Sequence, residues 1–103
     1  MDQRSAREIV NKYLQFLKEN NIDIRKAYLF GSYAKGASHE DSDIDIAIIL
    51  KDLKDDFDMQ VHLMKLRRDF DTRIEPHPFD EEDFANPSIP LVNEILQSGI
   101  QIM

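Results

Sequence analysis

A glycine turn between two apolar runs, with a pair of aspartates opening the second run, constrains this chain more than any other feature. Residues 26–30 (Lys-Ala-Tyr-Leu-Phe) read as a strand that Gly31 ends. Ser32 is then the expected N-cap of a helix of barely one turn, closed by Gly36. Residues 43–50 (Asp-Ile-Asp-Ile-Ala-Ile-Ile-Leu) alternate at their start and continue as unbroken apolar residues. That pattern belongs to an interior strand covered on both faces beyond its first turn. The glycine turn lies at the C-terminal end of the first strand, and the aspartates lie at the N-terminal end of the second. For both to serve one ligand those ends must meet, which makes the two strands antiparallel neighbours.

The remaining elements follow from periodicity. Residues 5–20 carry Ile9, Tyr13, Phe16 and Leu17 at helical spacing. A second long helix is expected over about 55–70, where Met59, Leu63, Leu66 and Phe70 form one stripe. Thr72 to Phe79 reads as a strand whose prolines at 76 and 78 confine pairing to its first half or to a sheet edge. A last helix near 88–98 ends at Gly99, and Ile100-Gln101-Ile102 can add a short edge strand. The order is α-β-α-β-α-β-α with a possible final strand. It predicts an α/β fold: a small mixed sheet with helices packed mainly on one face, forming a single domain over residues 1–103.

Composition narrows the functional classes. The chain has 20 acidic and 13 basic residues, a net charge of −7, which argues against a stable grip on nucleic acid through phosphate neutralisation. The absence of cysteine excludes disulfides and thiolate metal sites. No apolar run approaches the roughly 20 residues needed to cross a bilayer, and no signal segment opens the chain. A cytoplasmic protein without membrane contact is the expectation.

Asp43 and Asp45 stand two apart on a strand, so their side chains leave the same face. Two carboxylates so placed repel each other unless a cation sits between them, and Mg2+ suits such hard oxygen ligands. Glu40 and Asp41 just before them also fit a solvated acidic turn. Gly31 lets the backbone approach a ligand closely, and the helix start beside it presents N–H groups to an anion. Gly31-Ser32 and Asp43-Ile44-Asp45 together describe a site for a nucleoside triphosphate with its metal.

Gly31, Ser32, Ala34, Gly36, Ser42, Asp43 and Asp45 carry a resemblance to the nucleotidyltransferase superfamily that includes DNA polymerase beta. The chain is most similar to the minimal prokaryotic members, and the likeness in element order covers nearly its whole length. The resemblance implies that Gly31 and Ser32, with Lys35 and Ser42, bind the triphosphate of ATP. It implies that Asp43 and Asp45 hold two Mg2+ ions, and that a third carboxylate on a later strand completes the catalytic and metal-binding set. Glu75 is the choice, because Asp71 and Asp80 fall at the ends of that strand. The family often has Asp there, and many relatives carry Arg where Lys35 stands and a basic residue in place of Tyr33. Arg73 and His77 share the Glu75 face of a regular strand, so either can touch phosphate or acceptor, and a structural role for His77 in the Pro-His-Pro segment is as plausible.

The larger relatives add a helical domain that grips base or acceptor, so here a partner or a second copy is expected to complete the cleft. Minimal members pair with an all-helical HEPN-type toxin. The resemblance therefore implies an antitoxin that transfers AMP from ATP to a hydroxyl, that of a tyrosine, on such a toxin, releasing pyrophosphate. Two other readings stay open: transfer of a nucleotide to a small molecule such as an aminoglycoside, and a non-catalytic module that neutralises its partner by covering it.

Overall fold

The computed structural model describes residues 1–39 and 41–103; Glu40, part of the acidic turn, lies outside the described residues. Helix α1 (Gln3–Glu19) starts two residues earlier than its apolar stripe suggests, because Asp2 caps it by accepting the Ser5 N–H at 2.8 Å. Strand β1 (Ile24–Phe30) leads through Gly31 into the single-turn helix α2 (Ser32–Lys35), and β2 (Ile44–Leu50) follows. Helix α3 (Asp56–Leu66) tightens into a 3-10 turn at Arg67–Asp69 before β3 (Ile74–Asp80). A short helix α4 (Glu81–Phe84), not foreseen from periodicity, precedes α5 (Pro90–Ser98) and the terminal strand β4 (Ile100–Gln101).

The sheet order is β3-β2-β1-β4, with β1 antiparallel to both β2 and β4, and β2 parallel to β3. The expected antiparallel pairing of the first two long strands is therefore present, and Phe30 stands opposite Asp45 in it. Strand β3 lies at an edge but pairs along its full length, from Ile44 opposite Ile74 to Leu50 opposite Asp80. The prolines permit this because they occupy alternate positions. The Arg73 carbonyl faces β2 and accepts the Ile44 N–H at 2.8 Å, whereas the Pro76 carbonyl faces outward to the Gln60 side chain at 3.2 Å. In a strand every second residue turns its backbone groups away from the neighbour, so Pro76 and Pro78 lose no ladder donor.

The two longest helices occupy one face, as expected. There Ala6, Val10, Tyr13, Leu14 and Leu17 of α1 and Leu63 of α3 pack on Ala27, Leu29, Ile44, Ile46 and Ile48. The Tyr13 hydroxyl donates to the Leu63 carbonyl at 2.6 Å, tying the two helices together over the sheet. The opposite face is also covered, by Phe84 of α4 and by Val92 and Ile95 of α5 on Tyr28, Phe30, Ala47 and Ile49. This second layer explains why β2 is apolar at every position after Asp45: both of its faces are buried. Among the described residues no helix is long and apolar enough to cross a membrane.

Candidate active site

The antiparallel pairing brings the C-terminal end of β1 against the N-terminal end of β2, so Gly31 sits directly on Asp45. Its backbone (φ 74°, ψ −149°) occupies a region essentially reserved for glycine. A Cβ built at this position would lie 2.5 Å from Asp45 Oδ2. Glycine is thus required twice, for its conformation and for the space the carboxylate fills. Gly31, not Ser32, is the N-cap of α2; Ser32 is its first residue and is half-buried. Gly36, in the left-handed conformation, closes the turn, and the Ala37 N–H reaches back to the Ser32 carbonyl at 2.9 Å.

The parallel register then delivers Glu75, because β3 places it opposite Asp45. Asp45 and Glu75 are half-buried and Asp43 is exposed at the mouth. Burial pushes the Glu75 carboxyl above its ordinary range, and a hydrogen bond with Asp43 and the charge of Asp45 push in the same direction. Carboxylates gathered this closely repel one another unless a cation lies between them, so the cluster suits a divalent ion. The other acidic residues of this stretch have separate tasks. Asp71 is clamped by the Arg73 guanidinium at 2.7 Å, and Asp80 accepts the Leu53 N–H at 2.8 Å and the Glu82 N–H at 3.0 Å.

His77 joins the same cluster. It lies two residues beyond Glu75, with Nε2 3.1 Å from Asp45 Oδ1 and its ring edge-on to Phe30 at 5.1 Å. Ligand atoms of Asp45, Glu75 and His77 all lie within 4.8 Å of one another. Sequence spacing put His77 on the Glu75 face but left its role open; the signal was the i, i+2 parity. Arg73 does not join them in the same way, since it precedes β3 and its guanidinium turns back onto Asp71.

The other expected nucleotide contacts are placed less directly. Ser42 is buried at 7% exposure, and its Oγ accepts the His39 N–H at 2.8 Å, so it braces the loop that aims Asp43. Lys35 closes α2 at its exposed end, where its Nζ pairs with Glu94 of α5 at 2.9 Å. Tyr33 points into the core beneath α1 rather than toward a phosphate. A cleft of about 530 Å3 at the far end of the sheet, near Leu50, Leu53 and Met59, contains none of the candidate residues. A shallower groove of about 330 Å3 runs from His77 along the β3 edge past Phe79, Phe57 and Leu91.

Over 45 residues the chain is 44% identical to the protein adenylyltransferase MntA of Shewanella oneidensis, covering 44% of this chain and 32% of that protein. Over 54 residues it is 39% identical to the putative protein adenylyltransferase MJ1305 of Methanocaldococcus jannaschii, covering 52% of this chain and 37% of the relative. The matched segments thus span about a third of those relatives' lengths. Among solved structures, a toxin-antitoxin crystallised with AMP-PNP superposes with a TM-score of 0.69 at 30% identity, over 90% of this chain and 71% of that one. A nucleotidyltransferase-like chain from Sulfolobus solfataricus shares the fold, with a TM-score of 0.58 at 22% identity over 96% of this chain and 77% of its own. The family model described as polymerase beta, nucleotidyltransferase, matches residues 11–103, the stretch that contains every candidate residue from Gly31 to His77. The chain belongs to the polymerase beta nucleotidyltransferase family.

Proposed function

We propose that this protein is a metal-dependent nucleotidyltransferase that moves AMP from ATP to a hydroxyl, that of a tyrosine, on a helical HEPN-type toxin, and acts as its antitoxin. The observation that carries the reading is the gathering of Asp43, Asp45 and Glu75 at one strand end, with Gly31 closed against Asp45. The relatives named protein adenylyltransferases and the toxin-antitoxin neighbour support the choice of a protein acceptor.

In this reading Asp43, Asp45 and Glu75 hold two Mg2+ ions. When bound, these supply Lewis-acid polarisation of the phosphate and lower the pKa of the attacking hydroxyl. The chain's own contribution is positional. Gly31 and Ser32 admit the triphosphate close to the backbone at the head of α2, beside the Asp45 carboxylate that fills the space a Cβ at position 31 would take. Lys35 adds a cation after leaving Glu94; that pair is half-exposed on both sides, and exposed pairs are worth about 0–1 kcal/mol, so the exchange is inexpensive. Ser42 keeps the loop before Asp43 in place. Glu75 lies nearest the open β3 edge, so its carboxylate is the group placed to accept the proton of the entering hydroxyl. The acceptor side chain then enters along the groove past Phe79 and Phe57.

The test is transfer of label from α-labelled ATP onto any helical protein that co-purifies with this chain. Wild-type protein with Mg2+ is expected to label its partner, and Asp43→Ala with Asp45→Ala to abolish labelling. If wild type transfers nothing and the double variant still neutralises the partner, the protein acts by covering its partner and the enzymatic reading is wrong. Labelling of an aminoglycoside in place of the protein would reassign the acceptor.

A further inference from the structure

We propose that His77 is a direct ligand of the metal held by Asp45 and Glu75, which makes this centre one that takes a first-row transition dication in preference to Mg2+. The inference rests on the carboxylate metal site proposed above and adds to it a nitrogen donor. Three features of the structure carry it.

The first is placement. His77 Nε2 is 3.1 Å from Asp45 Oδ1, and the ligand atoms of Asp45, Glu75 and His77 lie within 4.8 Å of one another. Donors bound to one ion at about 2.0–2.2 Å are separated by comparable distances, so an ion between them needs only small side-chain adjustments. The second is orientation. The Phe30 ring meets the imidazole edge-on at 5.1 Å and holds it upright beside the carboxylates. Asp45 presents Oδ1 to the imidazole, while its Oδ2 fills the space where a Cβ at position 31 would stand. The third is the backbone. Glu75 and His77 alternate with Pro76 and Pro78, which restrict this edge of the sheet and keep both donors on one face.

The donor set then decides the metal. Mg2+ is served by oxygen ligands and water and gains little from imidazole. Two carboxylates and an imidazole suit first-row transition ions, whose affinity for mixed nitrogen and oxygen sites rises from Mn2+ toward Cu2+. Mn2+ is the useful probe, because it accepts carboxylate oxygen and imidazole nitrogen and is paramagnetic.

The experiment is a titration of the purified full chain with Mn2+ alone and with Mg2+ alone, followed by calorimetry and, for Mn2+, by pulsed electron paramagnetic resonance. Wild-type protein is expected to bind Mn2+ more tightly than Mg2+ and to show nitrogen hyperfine coupling to the bound ion. His77→Ala and His77→Gln should each lose that coupling and about tenfold in Mn2+ affinity, with Mg2+ affinity changed far less. Circular dichroism of both variants checks that the half-exposed edge position tolerates the change. Mn2+ bound with no nitrogen coupling, and affinity unchanged in both variants, would overturn the role of His77 while leaving the carboxylate site standing. Mn2+ affinity equal in wild type and Asp45→Asn would instead overturn the carboxylate site itself, and the His77 assignment with it.

Discussion

At the scale of single residues, the site depends on what is missing at one position. Gly31 has no Cβ, and the space where one would stand is taken by the Asp45 carboxylate. Gly31→Ala therefore imposes a backbone strain of about 1–3 kcal/mol and displaces a carboxylate of the proposed metal site. The expected result is a lower melting temperature together with loss of nucleotidyl transfer of about a hundredfold, the scale of a misplacement near 1 Å. Denaturation and transfer assays on the same preparation check both. Tyr33, in the same turn, makes the opposite case. Its hydroxyl is fully buried and meets no hydrogen-bond partner among the described residues. Leaving such a group unsatisfied costs about 1–3 kcal/mol, so Tyr33→Phe should leave stability unchanged or raise it, as urea denaturation would read.

At the scale of elements, the strand ends set the chemistry and the turns that deliver them set the strand ends. Asp71 and Arg73 form the turn that starts β3: Asp71 accepts from the Arg73 backbone N–H at 2.9 Å and from its guanidinium at 2.7 Å. The Arg73 side chain holds the Asp71 carboxyl below its ordinary value of 3.8. A carboxyl with a lowered folded-state pKa binds its proton more readily when unfolded. Its contribution to stability is therefore present above about pH 4 and is lost as pH falls through the folded-state value. Asp71→Asn should accordingly be less stable than wild type at neutral pH, with the difference shrinking as pH falls below about 4 in thermal unfolding series. Strand identity was readable from local pattern, because β2 is apolar at every position after Asp45 and β1 is apolar from Ala27 to its glycine. Helix α4 was not. Four residues give no periodicity, and what forms it is the Asp80 cap together with Phe84 reaching Tyr28 at 5.2 Å across the sheet. The N-cap of α2 was misassigned for a related reason: serine is the better cap by preference, but the close approach of Asp45 puts glycine at that position.

At the scale of the whole molecule, the centre is a point where three strand ends and one helix start converge while the apolar layers lie elsewhere. A ligand that binds only the folded state raises its stability, by about 2.7 kcal/mol at a hundredfold excess over Kd. Divalent metal should therefore raise the melting temperature of wild-type protein, and chelator should reverse the gain. Asp45→Asn should be insensitive to both, a comparison that differential scanning calorimetry makes directly.

Residue type and short spacing were enough to read part of this protein directly from the chain. That part comprises the paired Asp43 and Asp45 on one strand face, the glycine turn at the end of β1, and, from the demand that both serve one ligand, the antiparallel pairing of β1 with β2. What depends on register between distant segments emerged in the assembled sheet. The parallel pairing of β3 with β2 sets Glu75 opposite Asp45 and swings His77 onto Asp45 Oδ1, 32 residues away along the chain. The assembled fold also turned Lys35 toward Glu94, 59 residues away. The physical reason is periodicity. A strand's alternation declares which side chains share a face, but a one-residue slip in pairing reverses what that face meets, and burial across the finished sheet selects among the alternatives.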